Sequence, residues 1–168
     1  MAAGRGTKLS NRSSCSLGAM SPDAEITLRG VDSDNVRDVC RLAVAPDQEQ
    51  FVAPNAVSMA EYAVTDKAWT RAVYADDELV GYVLLSDDEE QPRYYLWRFM
   101  IDQRYQGLGF GKRATDLVVD YVRTRPGADG LYVSYVPGDG SPEHFYKKLG
   151  FVNTGVVHGG EVEGLLTL

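Results

Sequence analysis

The sequence predicts one domain of the α/β (α+β) class, in which a mixed, mostly antiparallel sheet is flanked by helices. Segments typical of strands and of helices alternate from Glu25 to the end of the chain. The segments Trp69–Ala75 and Leu79–Ser86 are rich in β-branched and aromatic residues and flank the polar turn Asp76-Asp77-Glu78, which indicates a hairpin. A chain of 168 residues has the size of one ordinary domain.

The first elements follow from local patterns. A short strand is expected at Glu25–Arg29, and Asp34–Val44 places its apolar residues on one helical face. A second helix is expected to begin at Ser58, because Ser58-Met-Ala-Glu61 is a capping-box pattern. Arg93–Ile101 is almost continuously apolar, as expected of a central strand with both faces covered.

The second half of the chain is equally regular. Gly109–Thr124 has the apolar spacing of an amphipathic helix, and Leu131–Tyr135 is typical of a buried strand. Ser141-Pro142-Glu143 is a favourable helix start, and Leu149-Gly150 ends that short helix with a glycine suited to its C-terminus. The last two predicted strands are Phe151–His158 and Glu161–Thr167.

The N-terminal segment differs from the rest in composition. Residues 1–21 are rich in Ser, Gly and Ala without a hydrophobic period, so we expect a disordered leader or an added segment, followed by one domain over 22–168. The leader holds three of the 17 basic residues and no acidic one, which leaves 14 basic against 24 acidic residues in the domain. The chain's net charge of −7 is therefore a leader at +3 attached to a domain at −10.

Composition and charge exclude several classes of protein. A hydrophobic content of 44% allows a full core, whereas the negative charge would repel a nucleic acid. No apolar run is long enough to span a bilayer, and no secretory signal pattern is present, so we expect a soluble cytoplasmic protein without a membrane or nucleic-acid partner. No metal site or disulfide framework is expected from the spacing of Cys15, Cys40, His144 and His158.

A glycine loop between the central strand and the following helix is the most informative stretch. Glycines at 107, 109 and 111 let backbone amides approach an anion closely, and the helix adds partial positive charge at its N-terminus. Lys112 and Arg113 lie in the first turn of this helix, where positive charges are normally unfavourable against the helix dipole. A bound anion at this place would explain them. The alternative is a turn that only allows close packing. A dinucleotide-binding fingerprint fits less well, because the glycine loop comes late in the chain. A P-loop also fits less well, because Lys112 is not followed by Ser or Thr.

The loop and a second stretch resemble a known family. Gln106-x-x-Gly109-x-Gly111 resembles the Q/R-x-x-G-x-G/A signature of the GNAT acetyltransferase superfamily, and His144–Phe151 resembles its second signature. The resemblance covers Glu25–Leu168, and Tyr94–Gly111 is most similar to the bacterial diamine and polyamine (spermidine/spermine) branch. It implies a GNAT-like sheet of six to seven strands splayed at the centre, acetyl-CoA as co-substrate without a metal, and a possible homodimer.

The resemblance also implies roles for individual residues. Backbone groups of the central strand would pair with the pantetheine arm of acetyl-CoA, the glycine loop would hold the pyrophosphate, and the short helix would contact the coenzyme. The residues given these roles are Phe99, Met100, Ile101, Gln106, Gly107, Leu108, Gly109, Phe110, Gly111, Lys112, Asp139, Ser141, Phe145 and Lys148.

Tyr146 matches the family tyrosine that protonates the departing thiolate. A phenol stays protonated at pH 7 and can still donate in the transition state. From spacing alone, the alternative is that Tyr146 belongs to the apolar face of a short helix.

The acceptor is expected to be a primary amine of a small molecule, a diamine or a polyamine such as spermidine, that attacks acetyl-CoA directly in a ternary complex. Glu61 is the preferred carboxylate for the amine, with the capping box as its alternative role. Trp97 stands where the polyamine branch carries an acidic residue; it is expected to stack on the substrate or to belong to the core. The acidic run Asp87–Glu90 would attract a polycation or form a solvated loop.

Two other functions stay open: acetylation of a drug-like amine, an amino acid or a protein N-terminus, and non-catalytic binding of acyl-CoA by a sensor.

Overall fold

Seven strands form one twisted sheet in the computed structural model, which describes residues 20–168. The strands are β1 Ile26–Arg29, β2 Ala68–Ala75, β3 Glu78–Ser86, β4 Tyr94–Ile101, β5 Gly130–Tyr135, β6 Val152–His158 and β7 Glu161–Thr167. The helices are α1 Val36–Val39, α2 Asn55–Ala63, α3 Phe110–Arg123 and α4 Glu143–Lys148, with 3-10 turns at Pro46–Gln48 and Gln103–Tyr105. Most of the predicted leader, residues 1–19, lies outside the described residues, and Met20 packs against the core.

The sheet divides at its centre. Its strand order is β1-β2-β3-β4-β5-β7-β6, and β4 and β5 are parallel whereas the other described pairs are antiparallel. β4 pairs with β5 over three residue pairs, from Tyr94 with Leu131 to Leu96 with Val133. Beyond Leu96 it continues to pair with β3 alone, as far as Ile101. The two strands therefore form a fork, and the predicted mixed, mostly antiparallel and centrally splayed sheet is confirmed.

A bulge lies at the base of the fork. Leu84 of β3 is opposite Arg98, whereas the next residue, Leu85, is opposite Leu96, so Trp97 is an extra residue on β4. Side chains alternate between the two faces of the sheet along a strand. One extra residue therefore moves each later side chain of β4 to the opposite face. Phe99 thus lies on the same face as Leu96, although the two are three residues apart.

Two apolar layers cover the two faces. The α3 face holds the larger core, in which Val118 and Val122 of α3 pack with Leu96, Leu131 and Val133 of the sheet. The other face holds a smaller cluster under α1 and α2, with Val39, Tyr82, Leu84 and Met100. These helices pack on β2 and β3.

The predicted α1 is too long. The helix ends at Val39 and not at Val44, because the chain then turns to join the end of β4. The amide of Ala43 donates to Oδ2 of Asp102, and its carbonyl accepts from the amide of Gln103. Burial acts to raise the pKa of Asp102, but hydrogen bonds from Arg104 and from the amides of Arg104 and Ala43 outweigh it, and the pKa is lowered.

The predicted capping box is wrong. α2 begins at Asn55, directly after Pro54, because Asn55 is buried and donates its side-chain amide to the carbonyl of Val39. Ser58 therefore lies inside the helix, fully buried, and has no hydrogen-bond partner in the described chain. Glu61 is free of a capping role and faces the sheet.

The acidic loop between β3 and β4 is held by ion pairs. Asp87 and Glu89 both contact Arg125 at the end of α3, and Asp88 and Glu90 both contact Lys67 before β2. Its four carboxylates are thus shared between two cations and fix the loop to the sheet and to α3.

Candidate active site

The fork leaves a strip of β4 backbone without a strand beside it. Over the residues that the structure describes, no pairing joins β4 to β5 after Leu96. Phe99 and Ile101 turn their side chains towards α3, and Met100 turns to the opposite face. Backbone amides and carbonyls at the open edge are strong hydrogen-bonding groups that need partners. An extended amide-bearing chain such as pantetheine fits this requirement.

The glycine loop lies at the open end of the fork and forms a backbone cradle. Gly107 and Gly109 have φ of 79° and 78°, a region that other residues rarely adopt, and Gly109 is the N-cap of α3. No heavy atom lies within 4 Å of a Cβ placed on either glycine, so the cradle is open. Leu108 and Phe110 turn their side chains into the core and leave only backbone amides for an anion. The cradle therefore fits the pyrophosphate of acetyl-CoA.

The polar side chains of the loop have separate tasks. Gln106 donates from Nε2 to the carbonyl of Ile101 at 2.9 Å and to Oε1 of Gln48 at 2.8 Å, so it fastens the loop to the end of β4. Lys112 contacts Asp116 at 2.6 Å on the helix surface. Arg113 does not face an anion: its guanidinium donates to the carbonyls of Pro22 and Ala24. Arg113 therefore fastens the start of α3 to the chain before β1, and a contact of Lys112 with the anion stays a prediction.

Tyr146 is held by the way α4 ends. Gly150 adopts φ 96°, its amide donates to the carbonyl of Lys147, and the amide of Phe151 donates to the carbonyl of Tyr146, which is a Schellman motif. The apolar contact that accompanies this motif is made by the rings of Tyr146 and Phe151, with centroids 5.3 Å apart. The predicted C-terminal glycine is confirmed, and it positions the ring of Tyr146.

α4 connects the two arms of the fork. The ring of Phe145 stacks on Phe99 of β4 at 5.9 Å, and the ring of Tyr146 stacks on Tyr135 of β5 at 5.8 Å. Tyr146 is 7% exposed, and its hydroxyl has no hydrogen-bond partner among residues 20–168. Burial raises the pKa of this phenol above its ordinary value. Both readings from the sequence are thus compatible: the ring packs in the core, and the hydroxyl is left available.

The other predicted coenzyme contacts lie around α4. The hydroxyl of Ser141 donates to the carbonyl of Val136 and accepts from the amide of Glu143, so it orders the turn before the helix. Asp139 lies in the exposed loop after β5, and Lys148 is exposed near the end of α4. These contacts stay predictions.

The two residues expected to bind the acceptor, Glu61 and Trp97, lie towards the opposite face of the sheet. The bulge directs Trp97 outwards, where it is 38% exposed, so the alternative of a core tryptophan is wrong. The next residue, Arg98, turns towards α2 and donates from Nη2 to both carboxylate oxygens of Glu61, at 3.3 and 3.2 Å. The predicted carboxylate is thus near the acceptor face but already paired with a cation.

A second group of carboxylates on this face was missed from the sequence. A pocket of about 240 Å³, here called the fork pocket, is lined by Tyr95, Trp97, Ser134, Val156, His158, Glu161 and Glu163. Trp97 and Ser134 are the first residues on β4 and β5 after the last pair between these strands. The fork pocket therefore opens where the sheet divides, on the face opposite Phe99 and Tyr146.

The two glutamates of the fork pocket differ in their partners. Glu163 is buried and accepts from Arg93 at 2.6 Å, from the Tyr95 hydroxyl at 3.2 Å and from the Thr154 hydroxyl at 2.9 Å. Burial and the nearby carboxylate raise the pKa of Tyr95 to about 12. Glu161 is exposed and accepts from the Ser134 hydroxyl. No local sequence signal links these glutamates to the fork, because they reach it only through the pairing of β7 with β5, in which Ser134 is opposite Glu163.

Two negative findings apply to residues 20–168. No group of three or more His, Cys, Asp or Glu residues is arranged to hold a metal ion. No helix in this part of the chain is long and apolar enough to cross a membrane.

Comparison with known proteins identifies the family. A family model described as the acetyltransferase (GNAT) family matches residues 37–151, which is more than half of the chain. The chain belongs to the GNAT acetyltransferase family and is an acyltransferase. Members of this family use acetyl-CoA, and the fork and glycine cradle fit that coenzyme.

Three similar proteins illustrate the relationship. The spermine/spermidine N(1)-acetyltransferase of Bacillus subtilis is 24% identical over 132 residues, covering 75% of this chain and 87% of the relative. A domain from Methanocaldococcus jannaschii has a TM-score of 0.70 at 14% identity, covering 87% of this chain and 100% of that domain. A Bacillus subtilis acetyltransferase solved in complex with CoA has a TM-score of 0.60 at 19% identity, covering 86% of this chain and 99% of that one.

Proposed function

We propose that this protein acetylates a primary amine of a small cationic molecule, with a diamine or polyamine as acceptor and acetyl-CoA as donor. One observation carries the proposal: the fork opens on one face beside the glycine cradle and Tyr146, and on the other face into the fork pocket with its two glutamates. A thioester and an amine that approach from opposite faces would meet at the base of the fork. The name of the curated Bacillus subtilis relative supports the polyamine class.

The reaction is a direct attack. The nitrogen of the neutral amine forms a bond to the thioester carbonyl, the carbon–sulfur bond breaks, and the thiolate takes a proton from Tyr146. Backbone amides of the open strip from Phe99 to Ile101 would stabilise the oxyanion, a contribution of about 3–4 kcal/mol in other enzymes. The proton lost by the amine passes to water, and water returns a proton to the Tyr146 phenolate, so that the enzyme regains its starting state.

The state of Tyr146 is consistent with this role. Because burial raises its pKa, the phenol stays protonated throughout the pH range of an ordinary assay. A weaker acid donates only as negative charge develops on sulfur, so Tyr146 would stabilise the departing thiolate more than the ground state.

An acceptor panel tests the proposal. Thiol release from acetyl-CoA is measured with diamines, spermidine, spermine, aromatic amines, amino acids, aminoglycosides and short peptides. Turnover on diamines or polyamines supports the proposal. Turnover confined to aromatic or drug-like amines would favour the second candidate, for which the exposed face of Trp97 is the supporting observation. Coenzyme binding without turnover on any amine would instead indicate a sensor. A homodimer and a cytoplasmic location stay predictions.

A further inference from the structure

We propose that the fork pocket selects a short diamine, with a chain of about four or five carbons, over longer polyamines. The inference rests on the proposed function and names the substrate within its class. Three properties of the described residues support it: the volume of the pocket, its single uncompensated carboxylate, and the cations on either side of it.

The volume suits a small ligand. The pocket offers a small space of about 240 Å³ that is partly open to solvent. A short diamine fits within this volume, whereas the remainder of a spermine chain would lie outside it. Pockets for drug-sized ligands are larger, roughly 300–1,000 Å³.

The pocket offers one carboxylate for one ammonium. Glu163 is already paired with Arg93. Glu161 forms no ion pair within residues 20–168, and its partner is the Ser134 hydroxyl. His158 is opposite Glu161 in the β6–β7 register. An ammonium beside Glu161 would also contact the exposed Trp97, and a cation over an indole face is favourable.

A second or third ammonium would find no partner beyond the pocket. Along β4 a longer chain meets a guanidinium in either direction: Arg93 lies over the Tyr132 ring at 4.4 Å on one side, and Arg98 follows Trp97 on the other. Across the sheet it would pass over β6, whose sequence Val-Asn-Thr-Gly-Val-Val-His contains no acidic residue. The carboxylate of Glu61 is occupied by Arg98. Each further ammonium would lie beside ion pairs that are already neutral, and losing water without gaining a free carboxylate is expected to lower affinity by about fivefold.

Kinetics on a chain-length series test the inference. With saturating acetyl-CoA, kcat/KM is compared for 1,3-diaminopropane, putrescine, cadaverine, spermidine and spermine. We expect putrescine or cadaverine to exceed spermine by about five- to tenfold. Equal or higher kcat/KM for spermine would overturn the inference and leave the proposed function intact.

Two substitutions locate the effect. Glu161→Gln is expected to raise KM for putrescine about tenfold with little change in kcat, while Glu25→Gln, the same change at the far edge of the sheet, leaves both unchanged. Arg98→Gln removes one flanking cation and frees Glu61, so the ratio of spermine to putrescine kcat/KM should rise by about fivefold. Unchanged values in Glu161→Gln would place the amine elsewhere and contradict the inference.

A binding measurement separates this inference from the proposed function. Quenching of tryptophan fluorescence by each amine is followed in the parent and in Trp97→Phe, which keeps the buried Trp69 as a constant background. Quenching by short diamines that is lost in Trp97→Phe, without turnover, would support the pocket and contradict catalysis. Neither quenching nor turnover with any amine of the series would overturn both proposals.

Discussion

Replacing Tyr146 by Phe should separate catalysis from folding. The ring contacts to Phe145, Phe151 and Tyr135, at 5.3, 5.3 and 5.8 Å, are made by carbon atoms that phenylalanine retains. The lost hydroxyl has no hydrogen-bond partner in the described chain, so the free energy of unfolding should change by less than about 1 kcal/mol. Loss of a general acid should lower kcat by about 100- to 10,000-fold, with the affinity for acetyl-CoA within about twofold of the parent.

The assay combines thiol release, thermal unfolding and calorimetric binding of CoA. Tyr121→Phe is the matched control. It removes a 2.5 Å hydrogen bond from Tyr121 of α3 to Asp87 of the loop after β3, and should cost about 1–2 kcal/mol of stability with kcat unchanged. In the parent, kcat should show no loss from ionisation of Tyr146 up to about pH 10, because burial raises its pKa above the ordinary value. A kcat for Tyr146→Phe within about threefold of the parent would refute the general-acid role.

Three further predictions concern the loop, the fork and the response to acid. Gly109→Ala should cost about 1 kcal/mol of backbone strain and weaken CoA binding by at least about fivefold in calorimetry, whereas Gly30→Ala, at a residue with equally open space, should not weaken it. Gly81→Ala places a Cβ 2.5 Å from the carbonyl of Met100, and we expect a loss of about 2–3 kcal/mol in denaturant unfolding together with weaker CoA binding; parental stability would contradict the packing at this strand pair. Asp102 has a lowered pKa in the folded state, so its stabilisation is present above about pH 4 and is lost as the pH falls through the folded value. Asp102→Asn should therefore lower stability by about 1–3 kcal/mol at pH 7 and by less at pH 3, and an equal loss at both pH values would exclude this linkage.

The local structure around the proposed coenzyme site could be predicted because its signals are local in sequence. The glycine loop joins a strand to a helix, and the glycine at 150 follows the short helix that carries Tyr146. Each conformation depends on residues within a few positions of itself. For the same reason the bounds of α3 were predicted to within one residue.

The fork pocket could be predicted only in part, because its residues meet through non-local pairing: the sequence pointed to Trp97 but not to the two glutamates. Glu161 and Glu163 belong to the last strand and reach Trp97 only through the pairing of β7 with β5 and of β5 with β4. In α2 a local signal was misleading: Ser58 and Glu61 have capping-box spacing, but burial of Asn55 moves the helix start three residues earlier. Tertiary packing outweighed the local preference.

The extra residue in β4 also limits how this protein can change its acceptor. Deleting Trp97 would restore strict alternation and turn Phe99 away from Phe145, so the thioester side would be lost together with the acceptor side. Substituting Trp97 leaves the strand length and every later register unchanged. Under the proposed function, the bulge would allow new acceptors to arise by replacement at one position, whereas an insertion or deletion there would shift every later residue of β4.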